Sequence, residues 1–217
     1  MIRIIGGVHK NRRLKLVPGA AVRPMQDKVK GALFNILGER VCGAVVLDGF
    51  AGTGSIGLEA LSRGAATCVF VDEHAPAVKV IKANVEKCGA GERSVVLHRE
   101  FNRAVIDLAG QGVRFDLIVL DPPYRLLEER NPLKVIRKRG LLGPGGLIVL
   151  RRHFKTRPKT GDFELERQVT LGDDVLAFYA ARVAGTGDDA SAEGRTARAK
   201  GPRKRLPAAR GSPKMGP

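Results

Sequence analysis

Residues 45–61 read "VVLDGFAGTGSIGLEAL": a β-branched apolar run, an acid, a glycine-rich turn, then apolar residues at helical spacing. A strand that turns on glycines into a helix opens a βαβ unit whose backbone can approach a ligand closely and adopt positive φ. Gly52-Thr53-Gly54-Ser55-Ile56-Gly57 has the spacing G-x-G-x-x-G, a weak signal by itself. Two details argue against a dinucleotide pyrophosphate. Asp48 sets a fixed negative charge at the strand tip, and Gly49, Phe50 and Ala51 lengthen the turn before Gly52.

Outward from this turn, apolar runs alternate with helical periodicity. Strands are predicted at 44–48, 67–72, 94–98, 115–120 and 146–150, with helices near 55–63, 74–88, 101–109 and 126–139. Pro132 should bend or split the last helix. Such alternation builds a mostly parallel sheet with helices on both faces. Residues 162–169 and 174–183, joined by "LGDD", add an antiparallel edge hairpin, giving a Rossmann-like α/β fold with seven strands. Upstream, "IRIIGGVHKNRRLKLVP" reads as a small N-terminal β-hairpin arm whose second strand ends at Pro18. Val29, Ala32, Leu33, Ile36 and Leu37 mark an amphipathic helix over 25–38. The expected division is an arm at 1–23, a main domain at 24–183 and a tail at 184–217. The tail has a single Leu and no Ile, Phe or Tyr, too little apolar surface to offset ordering entropy. Its basic residues either attract RNA or do nothing specific.

The net charge of +16 is unevenly spread: residues 1–30 carry +7, residues 125–159 carry +9 and residues 184–217 carry +5, leaving −5 for the rest. Concentrated basic segments fit a polyanionic partner, usually nucleic acid. Arg3, Lys10, Arg12, Arg13 and Arg23 on the arm are candidate RNA contacts. Arg137, Lys138 and Arg139, with Arg151, Arg152 and Lys155, are expected to flank the site from the other side. Cys42, Cys68 and Cys88 form neither a disulfide framework nor a zinc pattern, and the four histidines have no ligand spacing, so no metal is expected. No apolar run is long enough to cross a bilayer, and the start lacks a signal peptide's features, which points to the cytoplasm.

In an open parallel sheet, ligands bind beyond the carboxyl ends of the strands, where Asp48, Asp72, Glu100 and Asp121 all fall. A carboxylate before the glycine turn suits a cationic ligand such as the amino end of S-adenosylmethionine. Asp72, with Glu73 beside it, is placed for ribose hydroxyls, and Glu100 for an adenine amine with Phe101 beside the ring. The "DPPY" stretch, Asp121 to Tyr124, follows the fourth of these strands. Pro122 and Pro123 fix φ and donate no hydrogen bonds, leaving a stiff turn of acceptors. A carboxylate and a proline carbonyl suit an exocyclic amine, and Tyr124 offers a face on which its base can stack.

This combination is the motif of amino-group methyltransferases acting on nucleic acid. With "IRIIGG", "VRPMQDKVKGALFNIL" and "LDGFAGTGSIGLEALSRGA" in the same order, residues 2–182 resemble the RsmD family of 16S ribosomal RNA guanine-N2 methyltransferases. The resemblance implies a class I methyltransferase fold, S-adenosylmethionine as donor, 16S rRNA or a small-subunit assembly intermediate as partner, and a monomer. The mechanism expected is direct displacement, the guanine N2 attacking the sulfonium methyl in line and leaving S-adenosylhomocysteine. Departures from the family pattern are Met25 for Thr, Lys28 and Lys30 for Arg, and Gly31 and Arg151 for Glu. Glu100 stands where Asp or Asn is usual. A DNA adenine-N6 methyltransferase would share the DPPY chemistry, but no span is free for its target-recognition domain. A dehydrogenase leaves that turn unexplained, and a non-catalytic ribosome-assembly module would bind RNA without transfer.

Overall fold

A computed structural model of the chain describes residues 2–19, 25–161 and 163–182; Arg23 and the tail lie outside the described residues. In chain order the elements are β1 (Ile2–Arg3), β2 (Arg13–Leu14), α1 (Asp27–Leu37), β3 (Val45–Gly49), α2 (Ser55–Ser62), β4 (Thr67–Asp72) and α3 (Ala75–Lys87). They continue as β5 (Ser94–His98), α4 (Phe101–Gly110), β6 (Phe115–Leu120), α5 (Tyr124–Arg130), α6 (Pro132–Arg139), β7 (Leu142–His153), β8 (Phe163–Leu171) and β9 (Asp174–Ala181).

Seven strands form one sheet in the order β5-β4-β3-β6-β7-β9-β8. Pairings from β5 to β7 are parallel, while β9 runs antiparallel to both β7 and β8, which makes the edge hairpin. The apolar runs serve both faces by alternation. Val46, Phe70, Leu117, Val119 and Val149 pack under α1, α2 and α3. Leu47, Val69, Ile118, Leu120 and Ile148 pack with Phe101, Val105, Leu108, Leu133 and Ile136 of α4 and α6. The strand order reverses between β3 and β6, so the crevice that such sheets offer to ligands opens above these two strands.

The predicted split at Pro132 is observed. Asn131 takes a left-handed conformation (φ 33°), and its side chain accepts from the Lys134 N–H at 3.1 Å to start α6. β7 is longer than predicted. Leu142 pairs with Phe115, then Gly143 to Gly146 bulge out before Leu147 pairs with Leu117, and pairing continues to His153. The arm strand β2 ends at Leu14, before Pro18, and the chain runs on along the main domain.

The arm is bound to the helices beside it. Ile2, Ile4 and Leu14 belong to the same core as α1 and α2. The Ile5 N–H donates to Glu59 Oε2 (2.8 Å), and the His9 N–H to Ser62 Oγ (2.9 Å). Glu59 and Lys30 are both fully buried, 3.4 Å apart, and Lys30 also donates to the Arg3 carbonyl. Asn84, buried inside α3, accepts from the Lys15 N–H (2.8 Å) and donates to the carbonyls of Lys15 and Thr53. That one side chain ties the arm to the glycine turn.

Candidate active site

The turn after β3 is held open by packing and by two carboxylates. Phe50 is one of the few non-glycine residues with positive φ (61°), a conformation costing roughly 1–2 kcal/mol. Its ring stacks on Phe101 with centroids 4.8 Å apart. A Cβ at Gly49 would lie 2.5 Å from Phe101, and one at Gly57 would lie 2.3 Å from Phe70, so α2 reaches the sheet only through glycine. Gly54 has φ 74°, and Gly52 has φ 56° with nothing within 4 Å of its missing Cβ.

Above this turn lies a cavity of about 470 Å³. Phe50, Ala51, Gly52 and Thr53 form its floor, with Asp72 and Glu73 at one end. Leu16, Val17 and Met25 from the segments around the arm close another wall, and Asp121 with Pro123 a third. Asp72 spends both oxygens on shape: Oδ2 accepts from the Gly52 N–H and Oδ1 from the His74 N–H, at 2.8 and 2.9 Å.

Asp48 lies beneath the turn rather than in the cavity wall. Its Oδ2 accepts from the Gly57 N–H at 2.8 Å, while Oδ1 is buried with no hydrogen-bond partner. Burial raises its carboxyl well above the usual range; the Gly57 N–H opposes this, and the Asp121 and Asp72 carboxylates add to it. A carboxyl raised on folding binds its proton more tightly in the native state, so it costs stability as pH rises above the unfolded value. Asp48→Asn should therefore raise the melting temperature of the ligand-free protein near pH 7. Thermal scans from pH 7 down to 4 should show that gain shrinking.

Phe101 is placed differently from the expectation, and Glu100 has a structural role as well. Glu100 is the N-cap of α4, its oxygens accepting from the Asn102 and Arg103 N–H groups at 3.0 Å each, with Arg130 3.5 Å away. It lines a surface hollow with Glu73, His98, Arg99 and Arg103, and Glu73 also lines the cavity above the glycine turn. Phe101 is buried behind Phe50 and buttresses the turn instead of facing the cavity. An acid just before a helix satisfies backbone donors, and that local demand determined both positions.

At the end of β6, Pro122 is buried and Pro123 caps α5, which Tyr124 opens; the Tyr124 side chain lies outside the described part of the structure. Both oxygens of Asp121 accept from Arg151 Nη1, at 3.1 and 3.0 Å. Arg151 is held in turn by Asp174, its Nε and Nη2 donating to the two carboxylate oxygens at 2.9 and 3.1 Å. Burial pushes the Asp121 carboxyl up, Arg151 pulls it down, and Asp174 pushes it up again. Each carboxylate oxygen has two acceptor sites, so Asp121 retains capacity for a further donor.

This arrangement corrects two expected RNA contacts. Arg151 and Arg152 are buried at 8% and 7% exposure because β7 extends past them and β9 covers them. Arg152 donates to the carbonyls of His153, Phe154 and Thr156 and to Gln168. Arg137, Lys138 and Arg139 are exposed in the last turn of α6. That turn leads into Leu142, the partner of Phe115 at the amino end of β6, about 20 Å from Asp121 by strand rise. They do not flank the crevice. Lys10 follows the turn on Ser62, and Arg12 binds the Lys87 carbonyl, which places both by the helix ends remote from the glycine turn. Arg3 pairs with Asp27 (3.1 Å) at the start of α1, and Arg13 is its strand partner. Lys155 is exposed beyond the carboxyl end of β7. Asp174, Asn84 and the wall of Leu16, Val17 and Met25 escaped sequence reasoning; only Asn84, a polar residue on the apolar side of a helix, left a signal.

A parallel sheet reversing between β3 and β6, a glycine turn under a cavity and an acidic Pro-Pro turn at its edge define the class of S-adenosylmethionine-dependent methyltransferases. The family described as "Conserved hypothetical protein 95" matches residues 2–180, and the chain belongs to this, the RsmD family. It is 36% identical to the putative rRNA methyltransferase YlbH of Bacillus subtilis, over 83% of this chain and 100% of that one. It is 33% identical to ribosomal RNA small subunit methyltransferase D of Escherichia coli K12, over 86% and 93%. The solved structure of the putative methyltransferase yhhF from Escherichia coli superposes with a TM-score of 0.71 at 30% identity, covering 82% of this chain and 96% of that one.

Proposed function

We propose that this chain methylates the exocyclic N2 amine of a guanine in small-subunit ribosomal RNA, with S-adenosylmethionine as donor. The observation that carries this reading is the position of Asp121: a carboxylate on a proline-stiffened turn, in the wall of the cavity above the glycine turn. The names of the two relatives support the RNA, and the DPPY turn supports an amine on a base.

The residues present fit the donor. Gly52 leaves its Cβ position open, and Asp72 and Glu73 line the cavity. When bound, S-adenosylmethionine supplies an electrophilic methyl group on a cationic sulfur. The rest is done by the chain. An exocyclic amine is a poor nucleophile because its lone pair is delocalised into the ring. Asp121, accepting one N–H, draws that nitrogen towards tetrahedral geometry and opposes the positive charge that builds on it. The Pro122 carbonyl is proposed to accept the second N–H, and Tyr124 to stack on the base. Held in a near-attack pose, the base gains up to roughly 7–11 kcal/mol from positioning. Arg3, Arg13 and Lys155 are the cations proposed to meet phosphates near the site; Lys10, Arg12 and Arg137–Arg139 would reach RNA that extends beyond it.

Tritium transfer from labelled S-adenosylmethionine, run in parallel on naked 16S rRNA, assembled small subunits and DNA, tests the substrate. Label should enter RNA or subunits; label in DNA alone would favour adenine-N6 chemistry. RNA affinity should also fall steeply with salt. About five phosphate contacts give a log–log slope of roughly −3 to −4. A flat response between 50 and 200 mM salt, a range of about one Debye length's halving, would remove the electrostatic part of the proposal.

A further inference from the structure

We infer that Phe154 is a stacking platform for an unpaired RNA base beside the target nucleotide; this rests on the RNA reading above. The chain enters the loop from the carboxyl end of β7, where Arg151 binds Asp121, and Phe154 stands three residues on, about 10 Å at most by strand rise. A neighbouring nucleotide can span that distance. Phe154 is 45% exposed, one of few large apolar side chains left in water. His153 lies against its ring with centroids 4.5 Å apart, and Lys155 Nζ lies 5.6 Å over it.

The loop is built to hold this pose. Buried Arg152 gathers the carbonyls of His153, Phe154 and Thr156, the Phe154 N–H donates to the Asp173 carbonyl at 3.0 Å, and Asn131 Nδ2 donates to the Lys159 carbonyl at 3.1 Å. An aromatic ring presented from a rigid backbone loses little freedom on binding. Residues 153–161 carry Lys155, Arg157 and Lys159 and no acid. Aromatic rings interleaved with cations are how single-stranded RNA is held: bases stack, and cations meet phosphates. An incoming base would take the ring face that Lys155 now overhangs, and would release that ammonium towards the backbone phosphate.

The chain contains no tryptophan, so Phe154→Trp introduces a single tryptophan at the platform, excited to the red of the two tyrosines. Titration of the full-length variant with a 16S rRNA fragment that wild type methylates should quench that fluorescence, while duplex DNA should not. Phe154→Ala should raise KM for RNA about tenfold with kcat and S-adenosylmethionine binding little changed, and Phe154→Trp should restore KM. Phe154→Ala with unchanged KM, or a tryptophan silent to RNA that is nonetheless methylated, overturns the platform. Absence of any RNA methylation by wild type would instead overturn the reading of function.

Discussion

Asp121→Ala is expected to lower kcat for methyl transfer about 10²–10³-fold, the scale lost when one preorganised electrostatic partner of a transition state is removed. Binding of S-adenosylmethionine should change little, because Gly52, Asp72 and the wall of Leu16, Val17 and Met25 remain. The fold should persist as well, since Arg151 keeps its bidentate partner Asp174. Asp121→Asn retains shape and an amide oxygen but loses the charge, and should fall between wild type and alanine. Single-turnover rates with saturating RNA separate this from a binding defect. A variant that transfers methyl groups at the wild-type rate would remove Asp121 from the chemistry.

Arg151→Met should cost about 3–5 kcal/mol of stability, the range for removing one partner of a buried ion pair. Two carboxylates depend on it: Asp121 and Asp174 have side chains only 19% and 13% exposed. A melting temperature lower by roughly 10 °C corresponds to that loss for a domain of this size. The activity profile should move too. Arg151 opposes the burial that raises the Asp121 carboxyl, and without it burial and Asp174 act unopposed. Asp121 would then take up its proton at higher pH, and the acid limb of kcat against pH should shift upward. Arg151→Lys keeps a charge but cannot reproduce the fork between the two acids, so it should recover part of both effects. A methionine variant with wild-type melting and an unmoved acid limb would show the network to be idle.

The fold was legible where local signals and burial agree. Apolar runs such as "FDLIVL" have one use in a chain of this length, a strand covered on both faces, and Pro132 split its helix where a missing N–H requires it. The site was legible where chemistry constrained the backbone: the glycine turn, Asp72 and Asp121 converge on one cavity. It was obscure where a residue's partner is distant in sequence. Arg151 and Arg152 look like solvated charges beside Lys155 until β9 is laid against β7, 23 residues separating Arg151 from Asp174. Arg137–Arg139 look adjacent to the site because one helix over 126–139 would begin there, yet α6 starts only at Pro132 and ends just before Leu142, which pairs with Phe115 at the amino end of β6. Glu100 shows a third limit: an acid before a helix has backbone donors to cap, and its bonds to the Asn102 and Arg103 N–H groups are a role the sequence reading did not assign.

The most direct test of the account is the identity of the methylated nucleoside. Small-subunit rRNA from a strain lacking this protein, treated with purified enzyme and S-adenosylmethionine, would be digested to nucleosides and separated by liquid chromatography with mass detection. The account predicts a gain of N2-methylguanosine that Asp121→Ala does not produce. A methyl group on adenine, on a ring nitrogen or on ribose instead would contradict the role assigned to the Asp-Pro-Pro-Tyr turn.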